Sequence, residues 1–312
     1  MEILKNPNFD FLGKTRYFVV ASLILILAGI AYIARSGLHY GVEFSGGTQL
    51  ILKFAKTPEI DHIRDAVGKQ APGAVIQTYG EAAKNQVLIR LAGALQGEVE
   101  NAGRPVLDAL KASYAENPVV ESSSEVVGPI VGEELRRKAI QLTVLGLLFQ
   151  FIYIWFRFKG AVWGAAATVA VFHDVLVTFA FLAFFRFEIT LNVIAALLTL
   201  VGYSVNDTIV IFDRARENLR HRRKDSLRAI LNDSLNQTLT RTLISNGVTF
   251  LSVLGLFLFG GEVLRGFGFT MVVGILVGTY STIYIASPIV IWWEGHKDGA
   301  PRPASNTVKA AL

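Results

Sequence analysis

Six apolar runs, each long enough to cross a bilayer, limit what this chain can fold into more than any other feature. They are approximately 17–34, 139–156, 162–185, 189–212, 243–259 and 267–293. A span takes roughly 20 residues. Within lipid every backbone N–H and C=O must be paired internally, so apolar runs of this length fold as helices. The composition agrees. Of 312 residues, 52% are hydrophobic and 18% are charged, against about 25% charged in ordinary soluble domains. The net charge of +5 does not point to nucleic acid, because the basic residues cluster beside the apolar runs, where membrane lipids are their natural partners. There are no cysteines, which excludes disulfides and thiolate metal sites.

The first run has a basic flank (Lys14, Arg16) and a small-x-small sequence at Gly29-Ile30-Ala31, the features of a cleaved signal peptide. An uncleaved anchor is expected instead, since an even number of spans returns both ends to one side. Lys and Arg set the orientation. The N-terminus, the segment 213–240 and the tail are basic, whereas the two short connections on the other side hold Arg186 and Arg265. Arg136, Arg137 and Lys138 dissent, beside Glu133 and Glu134. The expected fold class is a polytopic α-helical protein of the bacterial inner membrane, with six transmembrane helices and both termini cytoplasmic. Its parts would be an N-terminus and first helix at 1–36, an extracytoplasmic domain at 37–138, helices two to six at 139–296 with a basic cytoplasmic loop at 213–240, and a tail at 297–312.

The polar stretch 37–138 reads as an α+β domain. Strands are expected at 49–54, 74–79, 86–91 and 119–127. Helices are expected at 58–70, with Ile60, Ile63 and Val67 on one face, and at 96–114. The second helix would use Val99, Val106, Leu107 and Leu110 as its apolar positions, with Pro105 as a blemish. The order βαββαβ is that of the ferredoxin-like unit. One histidine (His62) and scattered acids form no catalytic cluster, so a binding or moving module is expected rather than an enzyme. Gly46 and Gly47 are not followed by the Lys-Ser/Thr of a phosphate-binding loop, so no cofactor and no bound ATP are expected. Gly46, Gly47 and Thr48 read as a tight turn joining helix to domain.

Several polar residues fall inside the apolar runs: His173 and Asp174 in the third, Asn206 and Asp207 in the fourth, Arg241 and Asn246 in the fifth. Gly274 and Gly278 in the last run form a small-xxx-small pair, which lets helices approach closely. At a rise of ~1.5 Å per residue, Asp207 and Arg241 come to similar depth, with Asp174 roughly 10 Å deeper. Asp213 and Arg214 sit at the headgroup boundary as solvated anchors. Three readings fit this set. A satisfied Asp–Arg or Asp–Asn pair would hold helices together. A proton site would exploit the opposing effects of desolvation and a nearby guanidinium on a buried carboxylate. An intramembrane aspartyl protease would need Asp174 and Asp207 as a dyad about 3 Å apart. The difference in depth opposes the last, as does Ser204-Val205-Asn206 where such enzymes carry GxG.

Long motifs accompany these residues: GVEFSGGTQL (41–50), VGPIVGEELRRKA (127–139), AVFHDV (170–175), VGYSVNDTIVIFDRARENLR (201–220), NQTLTRTLISNGVT (236–249) and FLFGGEVLRGFGFTMVVGILVGTYSTIYIASP (257–288). Through them the chain resembles the SecF family, membrane subunits of the bacterial Sec protein-export machinery related to the RND transporters. The resemblance covers residues 10–295. It implies pairing with SecD, association with the SecYEG channel and with YajC, and contact with unfolded secretory polypeptide. It also implies use of the proton-motive force, with Asp207 and Arg241 at the positions tied to proton transport. The chain resembles the form not fused to SecD. His173 and Asp174 would be a second polar station or a helix lock. Sodium is an alternative coupling ion, because a carboxylate with amide and backbone oxygens can coordinate it. An RND-type small-molecule exporter, or a structural subunit stabilising SecD and the channel, stands as the alternative function.

Overall fold

In a computed structural model of the chain, residues 7–72, 74–79, 84–92, 103–127, 129–158, 161–222 and 224–298 are described. Lys159, the tail from 299 and the part of the expected helix at 96–102, with Val99, lie outside them. Among the described residues, six helical segments are long and apolar enough to cross a membrane. They are formed by α1 (Thr15–Ser36), α5 (Pro129–Phe158), α6 (Ala161–Phe184), α7 (Leu191–His221), α8 (Leu227–Phe259) and α9 (Gly261–Ser281). The last continues through a π-helical turn, Thr282–Ala286, into α10 (Ser287–Asp298). The chain is thus a multi-pass membrane protein.

Side-chain size decides which helices are central. Ala166, Ala167, Ala170, Ala180 and Ala183 are buried on α6, and Ala196 and Leu200 on α7, whereas α1 and α5 expose Leu23, Leu27, Phe149 and Phe156. Without a hydrophobic drive between helices in lipid, association rests on close packing, which small residues permit. Gly274 shows the consequence. A Cβ there would lie 2.4 Å from Leu200 Cδ1.

The segment 213–240 differs from the expected loop. α7 runs on into it as far as His221 and α8 begins at Leu227, with Asp225 N donating to Arg222 O at 3.2 Å in the turn between them. No Gly or Pro interrupts either arm. Polar pairs fasten the arms instead: Asn218 Nδ2 donates to Ser234 Oγ at 2.8 Å and to Gln237 Oε1 at 3.0 Å. Ser226 caps α8, its side chain accepting from Ala229 N. Asp233 and Asp225 flank Arg222 and hold its guanidinium above the usual arginine range. Of the expected anchors, Asp213 pairs with Arg157, and Arg214 with Glu217 at 2.7 Å.

Between α1 and α5, four strands form one sheet: β1 (Gly47–Phe54), β2 (Val75–Tyr79), β3 (Gln86–Ala92) and β4 (Val119–Val127), in the order β2-β3-β1-β4 with antiparallel neighbours. With α3 (Ile60–Gly68) after β1 and α4 (Arg104–Ser113) after β3, this is the expected βαββαβ order. Alternation explains the core. Leu50, Leu52 and Phe54 of β1 and Val87, Ile89 and Leu91 of β3 face Ile63, Val67, Val106 and Leu110 of the helices. Pro105 does not disturb α4. It occupies the first turn, where its missing N–H costs no intrahelical bond.

A short helix, α2 (Val42–Ser45), leads into β1 through Gly46 and Gly47, at φ of 70° and 138°. Residues with a Cβ are strained at such angles. Thr48, expected in this turn, lies within β1 and is buried. A Cβ on Gly132 of α5 would come 3.0 Å from Gly46 N. Two motifs distant in sequence therefore meet at one tight joint between sheet and membrane helix.

The sheet unit also docks on the connection between α6 and α7. Ile189 N donates to His39 O at 2.7 Å, and Gly41 N donates to Ile189 O at 2.9 Å. Arg90 of β3 pairs with Glu188. Both side chains are largely shielded, so this pair counts for more than an open surface bridge. Arg90→Ala is expected to loosen the dock while the sheet stays folded. Hydrogen exchange at 39–41 and 187–190 should quicken about tenfold, with exchange in β1 and β3 unchanged.

Candidate functional site

Asp207 sits on α7 with 5% of its surface exposed. A carboxylate there must be neutralised or met by donors. The donor comes from α8: Asn246 Nδ2 donates to Asp207 Oδ2 at 2.5 Å. The same amide donates to Thr279 Oγ1 of α9 at 2.7 Å, and its oxygen accepts from Tyr203 OH at 2.9 Å. The side chain of Asn246 is thereby satisfied at both ends and joins three helices. Asp207 also lines a crevice of ≈ 10 Å³ with Phe11, Leu235, Thr238, Thr242 and Thr282. That is about the space one water needs.

A second network surrounds Asp174 of α6, which is 1% exposed. Its Oδ2 accepts from Ser204 Oγ at 2.5 Å and from Ser281 Oγ at 2.9 Å. Its Oδ1 lies 2.9 Å from His173 Nδ1. His173 Nε2 lies 3.1 Å from Tyr280 OH, which in turn lies 2.9 Å from Ser22 Oγ. This polar chain crosses α1, α6, α7 and α9 inside an apolar bundle. Gly278 allows it, since a Cβ there would be 3.2 Å from Ser204 Oγ and 3.5 Å from Asp174 Oδ2.

Three consecutive residues of α9 serve the two networks. Thr279 belongs to the first, and Tyr280 and Ser281 to the second. The π-turn follows at once. Its altered backbone pairing is supported by side chains: Ser287 Oγ donates to Thr282 O at 2.9 Å, and Thr208 Oγ1 lies 2.9 Å from Thr282 Oγ1. Such turns recur at functional sites.

The geometry divides the residues singled out from sequence. It brings Asp207 and Asn246 together, and His173 and Asp174 together. Asn206 is exposed on α7 and makes no side-chain hydrogen bond among the described residues. Arg241 is exposed on α8 and forms no ion pair among the described residues; it lies within electrostatic reach of Asp207, while the hydrogen-bond partner of that carboxylate is the Asn246 amide. The physical reason is position. Arg241 lies near the end of the apolar stretch, where its guanidinium remains hydrated at little cost. Asp174 and Asp207 share no hydrogen bond among the described residues and have separate partners, which is not the arrangement of a catalytic dyad. Among the described residues, no three His, Asp or Glu side chains converge as a metal site.

Tyr203, Ser204, Thr279, Tyr280 and Ser281 were missed. A signal was present: each is a polar residue inside an apolar run, within three positions of Gly202 or Gly278. Asn246→Ala removes the donor to Asp207 and leaves the Tyr203 hydroxyl with only its longer contact, to Ser245 O at 3.5 Å. A cost of about 1–3 kcal/mol is expected. It should appear as a lower unfolding midpoint in detergent, with a smaller loss for Asn246→Gln.

Residues 107–296 match the family described as "Protein export membrane protein SecD/SecF, C-terminal", and residues 32–58 match the "SecD/SecF GG Motif". The chain is 36% identical to the protein translocase subunit SecF of Koribacter versatilis, over 97% of this chain and 96% of that one. It is 40% identical to the SecF of Calditerrivibrio nitroreducens, over 93% and 96%. It resembles the crystal structure of SecDF from Thermus thermophilus, a translocon-associated membrane protein, with a TM-score of 0.80 at 35% identity, covering 93% of this chain and 39% of that one. SecDF in the super-membrane-facing form gives a TM-score of 0.71 at 38% identity, over 95% and 40%. The GG motif falls on the joint at Gly46 and Gly47, and the larger match contains both polar networks apart from Ser22. The chain belongs to the SecD/SecF family of protein-export membrane proteins and is a SecF-like subunit of that machinery.

Proposed function

We propose that this chain is the SecF half of an ion-driven export motor. It works beside SecD in a twelve-helix assembly at the SecYEG channel, with YajC as an accessory and anionic lipid against its basic turn. It lies in the bacterial inner membrane with both termini and the α7–α8 turn in the cytoplasm, and the sheet domain outside. It acts without a chemical cofactor or enzymatic step; the proton gradient supplies the energy. One observation carries the reading: Asp207 is buried where three helices meet, and one amide holds it. A change in its protonation changes that contact, and so the packing of α7, α8 and α9. Arg241, exposed on α8 within electrostatic reach of Asp207, tunes that acid by its charge, and Asn206, exposed on α7, supplies hydrogen bonds along the ion path.

The sheet domain is the part that would contact unfolded polypeptide. A cavity of ≈ 670 Å³ opens between its uncovered face and the membrane helices, lined by Gln77, Tyr79, Arg90, Phe187 and Phe257 among others. Mixed aromatic and hydrogen-bonding walls suit a chain of varied sequence. A lock at His173–Asp174 is the second reading of that network, favoured by its full set of partners.

The test is preprotein translocation into inverted vesicles holding this chain, SecD and the channel, under an imposed proton gradient, a sodium gradient or none. Stimulation by the proton gradient supports the proposal. Stimulation by sodium alone reassigns the ion, and no stimulation by either leaves a structural subunit.

A further inference from the structure

The segment ahead of α1 is fastened to α8 by two asparagines that the Asp207 and Asp174 networks do not use. Asn232 and Asn236 lie one turn apart. Phe9 N donates to Asn236 Oδ1 at 2.9 Å, and Phe11 N donates to Asn232 Oδ1 at 3.0 Å. Both amides donate back to Phe9 O, each at 2.9 Å. The chain then turns sharply, with Gly13 N donating to Asp10 Oδ1 at 2.9 Å. Leu12 enters the membrane core beside Phe158 and Phe212. The segment is thus held by its backbone at one end and by a buried side chain at the other.

Between those anchors lies Phe11, which lines the same crevice as Asp207. Along α8, Asn232, Asn236, Leu239, Thr242 and Asn246 follow at three- or four-residue steps, which places them on one stripe of the helix. The stripe runs from the two asparagines to the amide that holds Asp207. The crevice beside it is bounded by Thr238 and Thr242, both buried.

We propose that residues 7–14 form a strap that closes the Asp207 crevice from the side of the α7–α8 turn. Asn232 and Asn236 are its latch and Phe11 is its plug, and an ion reaches Asp207 from that side when the latch releases. The gating role rests on the reading that Asp207 takes up an ion. A latch made of amide hydrogen bonds suits such a task, because each bond is of modest net strength and exchanges readily with water. A plug of one aromatic ring excludes water without adding charge to the crevice.

The chain has no cysteine, so Thr238→Cys is an unambiguous reporter of access to the crevice. In nanodiscs, with SecD bound, its reaction with a water-soluble maleimide is expected to be slow. Adding Asn232→Ala and Asn236→Ala should speed it about tenfold or more, as opening becomes easier. A cysteine in place of the exposed Asp61 should react equally in both backgrounds. An unchanged rate at Thr238→Cys overturns the strap. A second variant guards against misfolding: Phe9→Cys with Asn232→Cys, joined by a short bifunctional maleimide, should slow proton uptake into vesicles about tenfold. Unchanged uptake in the joined protein overturns the gate. The labelling result is the same whether or not Asp207 carries the ion, so repeating it in Asp207→Asn separates failure of the strap from failure of that reading.

Discussion

Asp207→Asn is expected to abolish the gradient-dependent part of preprotein translocation while leaving the protein folded and assembled. The two side chains have nearly the same shape. An amide oxygen at 207 still accepts from Asn246, so stability should change by no more than about 1 kcal/mol. What is lost is the capacity to bind and release a proton. The imposed proton gradient should then stimulate translocation about tenfold less, or not at all, with the unstimulated rate retained. The measurement is the inverted-vesicle assay on purified complexes, with SecD retention checked first. If the stimulation survives in a complex that assembles, Asp207 is a structural contact and the ion site lies at Asp174 or in SecD. Arg241→Met breaks no ion pair in this conformation. A loss of stimulation there points to the guanidinium charge acting on Asp207 without a direct ion pair, to a conformation in which the two meet, or to a contact with SecD.

Gly268→Val is expected to be the most damaging packing change. A Cβ at 268 would lie 2.7 Å from Phe257 Cα and 2.8 Å from Phe257 N. Those atoms are backbone, so no rotamer relieves the clash and α9 must move away from α8. The aromatic cluster around the contact moves with it, including the stacked rings of Phe187 and Phe269 at 4.2 Å. Overpacking of this kind costs about 3 kcal/mol or more. The expected result is loss of the monodisperse peak in detergent, or a sharp fall in the temperature at which it disappears. Gly202→Ala is the matched control, since a Cβ there meets nothing within 4 Å. Should Gly268→Val remain as stable as that control, the close approach of α8 and α9 is wrong. The bond from Asn246 to Thr279, which depends on it, falls too.

Much of the fold was legible because its signals are local. Twenty apolar residues in lipid have few structures open to them, so the six spans followed from hydropathy. Alternation within 49–54 and 86–91 placed the strands, and Ile63, Val67, Val106 and Leu110 marked the helix faces that cover them. The extent of α7 and α8 was not legible in the same way. Between 213 and 240 the charges resemble a loop, and only the pairing of Asn218 with Ser234 and Gln237 shows that two helices continue side by side. Pro105 misled for a related reason. A proline in a helical pattern signals a break unless the helix begins beside it, and that start lies next to residues with no apolar period.

The site was legible in half. A carboxylate in an apolar run must have a reason, and that alone singled out Asp174 and Asp207. Charge suggested Arg241 as the partner of Asp207, because opposite charges attract at any separation and a sequence carries no directions. Hydrogen bonds are short and directional. Only the packing of α7, α8 and α9 placed Asn246 against Asp207, left Arg241 and Asn206 exposed, and brought Tyr280, Ser281 and Ser204 to His173 and Asp174. By itself the sequence determined the spans, the succession of strands and helices and the identity of the buried acids, since solvation and backbone geometry act residue by residue. The tertiary structure alone decided the partners of those acids on other helices, 30 to 107 positions away, and the meeting of Phe11 with the Asp207 crevice, since contacts so distant in sequence exist only once the helices have packed.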